Sequence, residues 1–199
     1  MQYIGAYVQA TINASPDTIW SIISDVRRHA ELAGSGHVEK VEVLDPVGLH
    51  DGAVFQSSQN VDGLSYTTAS RVRVWEPPLR FGWQVGPEWL PGIGQLWYFQ
   101  LTPGDTGTMV ENGVVSPFPL PDLPPFNMIH DVFGRSDVQG LRPTLANLAR
   151  LLGQPAPSEY TESWRANPSM AARLPSPWLI TSGMGLTLLS ALMIRRRRS

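Results

Sequence analysis

Apolar positions recur along this chain with two periods, and the changes between them mark its elements. From Tyr3 to Ile12, apolar and polar residues alternate in short steps rich in Tyr, Ile, Val and Thr, which predicts a strand. Asn13-Ala14-Ser15-Pro16-Asp17 then opens a helix, with Ser15 as N-cap, Pro16 at the first helical position and Asp17 at the positive end of the dipole. Ile19, Trp20, Ile22, Ile23 and Val26 form one apolar face at helical spacing. A short second helical turn is expected over 27–32, ended by Gly34-Ser35-Gly36.

The period then shifts to two. Val38, Val41 and Val43 mark one strand and 53–60 a second, with Asp62-Gly63 as a hairpin signal. Residues 65–75 put Tyr66, Thr68, Ser70, Val72 and Val74 on one side and Arg71 and Arg73 on the other, and Glu76-Pro77-Pro78 breaks the run. Phe81, Trp83 and Val85 alternate in 79–85; Trp97, Phe99 and Leu101 alternate with Leu96, Tyr98 and Gln100 in 94–102. After a turn at Pro103-Gly104-Asp105, residues 106–115 return. Residues 116–125 read as a proline-dense loop. A long helix follows, with Ile129, Val132, Phe133, Leu141, Leu145, Leu148 and Leu152 on one stripe and Gly153 as its stop. Pro143 sits inside it and predicts a kink or a restart.

This order predicts an α+β domain over 1–153: an antiparallel sheet of about six to seven strands wrapped around a long C-terminal helix. If the helix does not fill the concave face, a cavity remains beneath it. Residues 154–176 hold many prolines and few large apolar groups and read as a mobile linker.

The pattern changes again at 177–194. No charge occurs from residue 174 to residue 194, and four arginines, Arg195–Arg198, follow. Leu186, Leu188, Leu189, Leu192, Met193 and Ile194 cover every face of a helix, so no polar stripe supports a surface-lying helix. With Trp178 at one end and Arg195 at the other, the run reads as a single C-terminal transmembrane anchor held through Trp178, Leu186, Leu189, Ile194 and Arg195, followed by a basic tail at 195–199. The N-terminus has neither the basic nor the apolar region of a secretory signal, so the expected location is a membrane with the folded domain in the cytoplasm. The positive-inside rule would place the arginines there instead.

Charge sharpens this division. The chain is −2 overall, but its first 194 residues hold seventeen acidic against eleven basic residues, a net −6. Such a body makes a poor partner for nucleic acid. With no cysteine, disulfides and thiolate chemistry are excluded.

Ile12-Asn13-Ala14-Ser15-Pro16-Asp17-Thr18-Ile19-Trp20 with Asp25 beyond it, the Trp75-Glu76-Pro77-Pro78-Leu79-Arg80-Phe81 turn, and the closing Gly140-Leu141-Arg142…Leu145…Leu148…Leu151-Leu152 helix together resemble the START/polyketide-cyclase superfamily of helix-grip domains (SRPBCC). The resemblance covers about 3–153. One departure is Arg28-His29-Ala30-Glu31-Leu32-Ala33-Gly34, where many relatives have a Trp-Pro-rich stretch. The resemblance implies an apolar cavity for a lipid, isoprenoid, quinone or polyketide-like molecule. The superfamily includes carriers, sensors and cyclases, and fold does not choose among them.

The residues show little enzymatic chemistry. The four histidines, His29, His37, His50 and His130, stand at no metal-ligand spacing, and no metal or cofactor is expected. His130-Asp131 is the best acid/base pair, but adjacent helical residues point apart, and Asp131 with Arg135 at i+4 is the simpler pairing. The expected cavity-lining residues are Tyr66, Trp83, Trp97, Phe99 and Phe133; strand parity allows Trp97 or Tyr98 inward, not both. The reading that joins these features is membrane-tethered binding or transfer of a hydrophobic small molecule. The alternatives are a polyketide cyclase or dehydratase, and a structural or regulatory membrane protein with a filled core.

Overall fold

The computed structural model describes residues 2–121 and 123–174, without the side chains of Pro125, Asn127 and His130. Strand β1 (Gln2–Ile12) leads into α1 (Pro16–Ile23), a 3₁₀ turn (Val26–Arg28) and α2 (His29–Leu32). Six strands follow: β2 (Val38–Val43), β3 (Val54–Val61), β4 (Leu64–Glu76), β5 (Arg80–Pro87), β6 (Leu96–Gly104) and β7 (Gly107–Leu120). Helix α3 (Pro124–Leu151), β8 (Thr161–Ser163) and α4 (Pro168–Ala171) complete the described chain. The sheet has eight strands in the order β2-β3-β4-β5-β6-β7-β1-β8, all described pairings antiparallel.

Local chemistry sets the element ends as expected. Ser15 Oγ accepts from the Thr18 amide at 3.2 Å and caps α1, a device that contributes about 1 kcal/mol. Asp62 and Gly63 take positive φ of 53° and 84°, the conformation a two-residue hairpin turn demands. Gly153 closes α3 at φ 73°.

Two cores form on opposite sides of the sheet. On the concave side, Val8, Ile12, Val72, Phe81 and Phe99 meet Ile19 and Ile23 of α1 and Leu141, Leu145 and Leu148 of α3. On the convex side, Val74, Leu96, Tyr98 and Val115 are covered by Met170, Ala171 and Leu174. A register shift between Val72 and Val74 explains why Val74 does not share the face of Val72, against the alternation read from sequence.

Four expectations are corrected. The sheet gains an eighth strand. The proline-dense stretch continues β7 to Leu120, pairing Leu120 with Gln2 and Pro119 with Tyr3. Pairing to β6 stops at Val115, and pairing to β1 breaks register between Val115 and Pro119, so prolines fall where the ladder is one-sided or interrupted and are tolerated there. Helix α3 continues through Pro143 as a single helix of 28 residues without a restart. Lastly, 154–176 is not a mobile linker as far as it is described. Residues 161–163 pair with Tyr7, Val8 and Gln9, and the chain then crosses the back of the sheet as a strap.

That strap is held by polar contacts as well. Arg165 pairs with Asp131 at 2.7 Å, Arg173 pairs with Glu76 at 2.7 Å, and Asn167 Nδ2 donates to Glu111 at 2.6 Å. Its proline content masked two buried anchors, Met170 and Leu174, that a count of large apolar residues undervalues.

Among the described residues, no helix is long and apolar enough to cross a membrane. The span expected at 177–194, with Trp178, Leu186, Leu189, Ile194 and Arg195, lies outside the described residues.

Candidate functional site

The concave face has a closed end and an open end. Helix α1 stops the closed end, where Trp20 packs edge-on against Trp75 (5.2 Å between centroids) and Phe81 (6.2 Å). At the other end lie the β3–β4 hairpin, the β5–β6 connection and the start of α3.

Strand alternation builds the floor between them. Phe55, Phe81, Trp83 and Phe99 face inward as a run of rings, with Trp83 at 6.3 Å from Phe55, 5.2 Å from Phe81 and 6.3 Å from Phe99. Trp97 is the register partner of Trp83 and packs on the same side. Phe55, Phe81 and Phe99 are fully buried. Trp83 and Trp97 remain only partly covered although they point under the helix.

The roof matches this incomplete floor. The apolar stripe read along α3 divides in two. Leu141, Leu145 and Leu148 are fully buried, whereas Ile129, Val132 and Phe133 stand 37%, 65% and 54% exposed. The first half of α3 therefore leaves these apolar side chains uncovered, while Trp83 and Trp97 of the floor are only partly covered. Phe133, Asp137, Gly140 and Thr144 follow at i, i+4, i+7 and i+11 and share one side of the helix. Thr144 fixes its direction, because its Oγ1 accepts from the Gly34 amide at 2.9 Å, just beyond α2. A side-chain carbon added at Gly140 would meet no atom within 4 Å, so this side of the helix borders open space.

Two titratable groups belong to this region. Asp137 is partly buried and has no ion pair or side-chain hydrogen bond among the described residues. Burial pushes its carboxyl up to about 6. His29 opens α2 and is almost fully buried, its ring 4.8 Å from that of Trp83. Nε2 lies 2.9 Å from the Ile23 carbonyl oxygen, which can only accept, so Nε2 carries the proton. Burial lowers the His29 pKa to about 4, keeping the ring neutral near pH 7.

Among the residues expected to line a cavity, the structure brings Trp83, Trp97 and Phe99 together, with Phe99 beneath the surface of the floor. Tyr66 lies at the open end, 42% exposed, and donates to Gln59 Oε1 at 3.3 Å; Phe133 lies on the roof. Parity puts Trp97 inward and sends Tyr98 to the convex core. Asp131 pairs with Arg165 rather than with Arg135, whose guanidinium lies over Trp164 at 4.1 Å. The side chain of His130 is outside the described residues. Arg71 and Arg73 face the convex side, where Arg73 binds the Gly92 carbonyl and Gln84. No group of three or more metal-ligating side chains occurs among the described residues.

The sequence did carry signals for the two groups that motif reading passed over. His29 falls at three-residue spacing between Val26 and Leu32, both buried. Asp137 lies midway between Phe133 and Leu141, a carboxylate interrupting an apolar stripe.

Comparison with known proteins adds family and fold. The family described as "Polyketide cyclase / dehydrase and lipid transport" matches residues 4–153. No curated protein matches the chain. Among solved structures, protein Ms6760 from Mycobacterium smegmatis is similar at 18% identity and TM-score 0.55, covering 75% of this chain and 91% of that one. The Zhui aromatase/cyclase from Streptomyces sp. R1128 is similar at 19% identity and TM-score 0.52, covering 75% and 96%. The di-domain ARO/CYC StfQ from the steffimycin biosynthetic pathway is similar at 14% identity and TM-score 0.53, covering 76% of this chain and 52% of its own length. At these identities the likeness is one of fold.

Proposed function

Because this chain belongs to the polyketide cyclase/dehydrase and lipid transport family, we propose that the groove between α3 and the inner face of β4–β6 binds a hydrophobic, ring-bearing small molecule. One observation carries this reading. Trp83 and Trp97 face inward yet stay partly uncovered, and Ile129 and Phe133 on the first half of α3 are uncovered too. Apolar surface left in water is costly, and an apolar guest that covers both sets of side chains removes that cost at about 25 cal/mol per Å² buried. Aromatic walls suit a flat ring system best, since rings stack on one another with specific geometry. Organic extraction and mass spectrometry of the gently purified protein tests this. A stoichiometric isoprenoid, quinone or aromatic compound is expected, and a clean extract together with no uptake of such compounds rejects the reading.

A second reading is favoured by Asp137. A partly buried carboxyl without a partner, with its pKa raised to about 6, is suited to hold or release a proton near neutral pH. On that reading the groove folds a linear polyketide-like substrate and Asp137 moves a proton during ring closure or water loss. The aromatase/cyclase neighbours support it by fold alone. Asp137→Asn separates the readings: with a poly-β-keto thioester as probe, an enzyme loses turnover and keeps binding, whereas a carrier shows no turnover in either form.

Membrane tethering completes the proposal. It rests on the uncharged run at 174–194 and the four arginines after it. The strap runs over the convex face as far as Leu174, so such a tether would leave the domain from the face opposite the groove.

A further inference from the structure

Along the floor of the groove, three buried polar groups have no side-chain partner among the described residues. The first is Nδ1 of His29. The ring's proton sits on Nε2 and is donated to Ile23, so Nδ1 presents a lone pair, and no other hydrogen bond reaches the ring. The second and third are the hydroxyls of Ser57 and Ser70, which are 7% and 2% exposed.

Register brings these groups to one place. Ser70 pairs with Phe55 on one side and with Val85 on the other. Ser57 pairs with Thr68, two residues away along both strands, so the two serines share the inner face as diagonal neighbours. The Phe55 ring, flanked by both, lies 6.5 Å from the His29 ring and 6.3 Å from Trp83. Buried polar groups are nearly always hydrogen-bonded, and three exceptions around the Phe55 ring of one aromatic floor call for a ligand that satisfies them. A filled apolar core does not need them, because Ala or Val at these positions would remove the cost.

Building on the groove reading, we propose that this part of the floor recognises the oxygen-bearing edge of a ring ligand. His29 Nδ1 accepts a hydrogen bond from a ring hydroxyl, and Ser57 and Ser70 donate to a neighbouring carbonyl or hydroxyl oxygen. The ligand class is thereby narrowed from hydrophobic molecules in general to hydroxylated or oxo-substituted rings. His29 and the two serines set specificity, and the aromatic floor supplies most of the affinity.

The test compares 1-naphthol with 1-methylnaphthalene, which matches it in shape and lacks the hydroxyl. Full-length protein is titrated with each and followed by tryptophan fluorescence. The expected result is about fivefold tighter binding of 1-naphthol, the worth of one hydrogen bond. His29→Phe should abolish that preference, and Ser70→Ala should reduce it. Equal affinity in the native protein, or a preference that survives both substitutions, overturns the proposal and leaves the groove reading standing. If neither compound binds, the groove reading falls and this proposal with it. A measurement without substitution guards against misfolding. In ¹⁵N-histidine-labelled protein, 1-naphthol should shift the His29 Nδ1 resonance and 1-methylnaphthalene should not; an unmoved resonance at saturating 1-naphthol overturns the proposal.

Discussion

The Tyr98 hydroxyl donates a 2.7 Å hydrogen bond to Oε1 of Glu111, and both residues lie buried on the convex side of the sheet. The same oxygen accepts from Asn167 of the strap, and Gln9 donates to the other carboxylate oxygen at 2.7 Å. Tyr98 reaches this network by laying its ring across Gly113, its register partner on β7. A side-chain carbon at Gly113 would overlap that ring. Gly113→Ala should therefore displace Tyr98, break the bond to Glu111 and destabilise the domain by about 1–3 kcal/mol. Tyr98→Phe, which keeps the ring and deletes only the hydroxyl, should cost about 1 kcal/mol. Urea unfolding of both variants checks this ranking.

The strap should behave as part of the domain. Met170 is fully buried against the back of the sheet, so Met170→Ala should cost about 2–3 kcal/mol, near the lower end for deleting a large core side chain. Ending the chain at residue 153 should uncover Val74, Leu96 and Val115. A lowered melting temperature and increased binding of a hydrophobic dye are the expected outcomes, and an unchanged melting curve would mean the strap contributes nothing.

His29 and Asp137 should pull stability in opposite directions with pH. The folded-state pKa of His29, about 4, is below the ordinary histidine value of 6.5, so the unfolded chain binds more protons between these values. This contribution is complete above pH 6.5 and is lost as pH falls toward 4; it amounts to about 3 kcal/mol. Asp137 is raised from 3.8 to about 6, so the folded chain binds more protons in that window, and stability is lost as pH rises from about 4 to 6. Its partial exposure limits this to about 1–2 kcal/mol. His29→Phe should leave stability falling as pH rises from 4 to 6. Asp137→Asn should leave it rising more steeply over the same range than in the native protein. Denaturant midpoints at half-unit pH steps read both slopes.

Phe133 separates binding from folding. It is 54% exposed, so Phe133→Glu should change stability by no more than about 0.5 kcal/mol. On the roof of the groove the new charge faces an apolar guest and should weaken binding of 1-methylnaphthalene about tenfold. Parallel loss of binding and melting temperature would make Phe133 a packing residue.

Removing residues 175–199 tests the tether. The full chain should sediment with membranes and stay there in 1 M salt, since apolar insertion is insensitive to screening. The shortened chain should be released. Release of the full chain by salt would indicate electrostatic attachment through Arg195–Arg198 instead.

Much of this protein was determined locally by its sequence. Ser15 caps α1, Asp62-Gly63 turns the β3–β4 hairpin and Gly153 ends α3, because each depends on the φ/ψ preference or side-chain reach of one or two residues. Period-two alternation likewise assigned Trp83 and Trp97 to one face, since successive strand residues must point to opposite sides. Tertiary structure decided what depends on distant partners. Pro117 and Pro119 sit in a strand because β6 ends opposite Val115, which leaves Pro119 paired to β1 alone and Pro117 within the register break between Val115 and Pro119. Residues 161–174 are ordered because Leu96, Tyr98 and Val115 need cover, a demand placed by residues more than 40 positions away. His29 and Asp137 became candidate site residues only when burial stripped water from one and open space appeared beside the other. A pKa or an unsatisfied lone pair is a property of surroundings that the folded chain assembles.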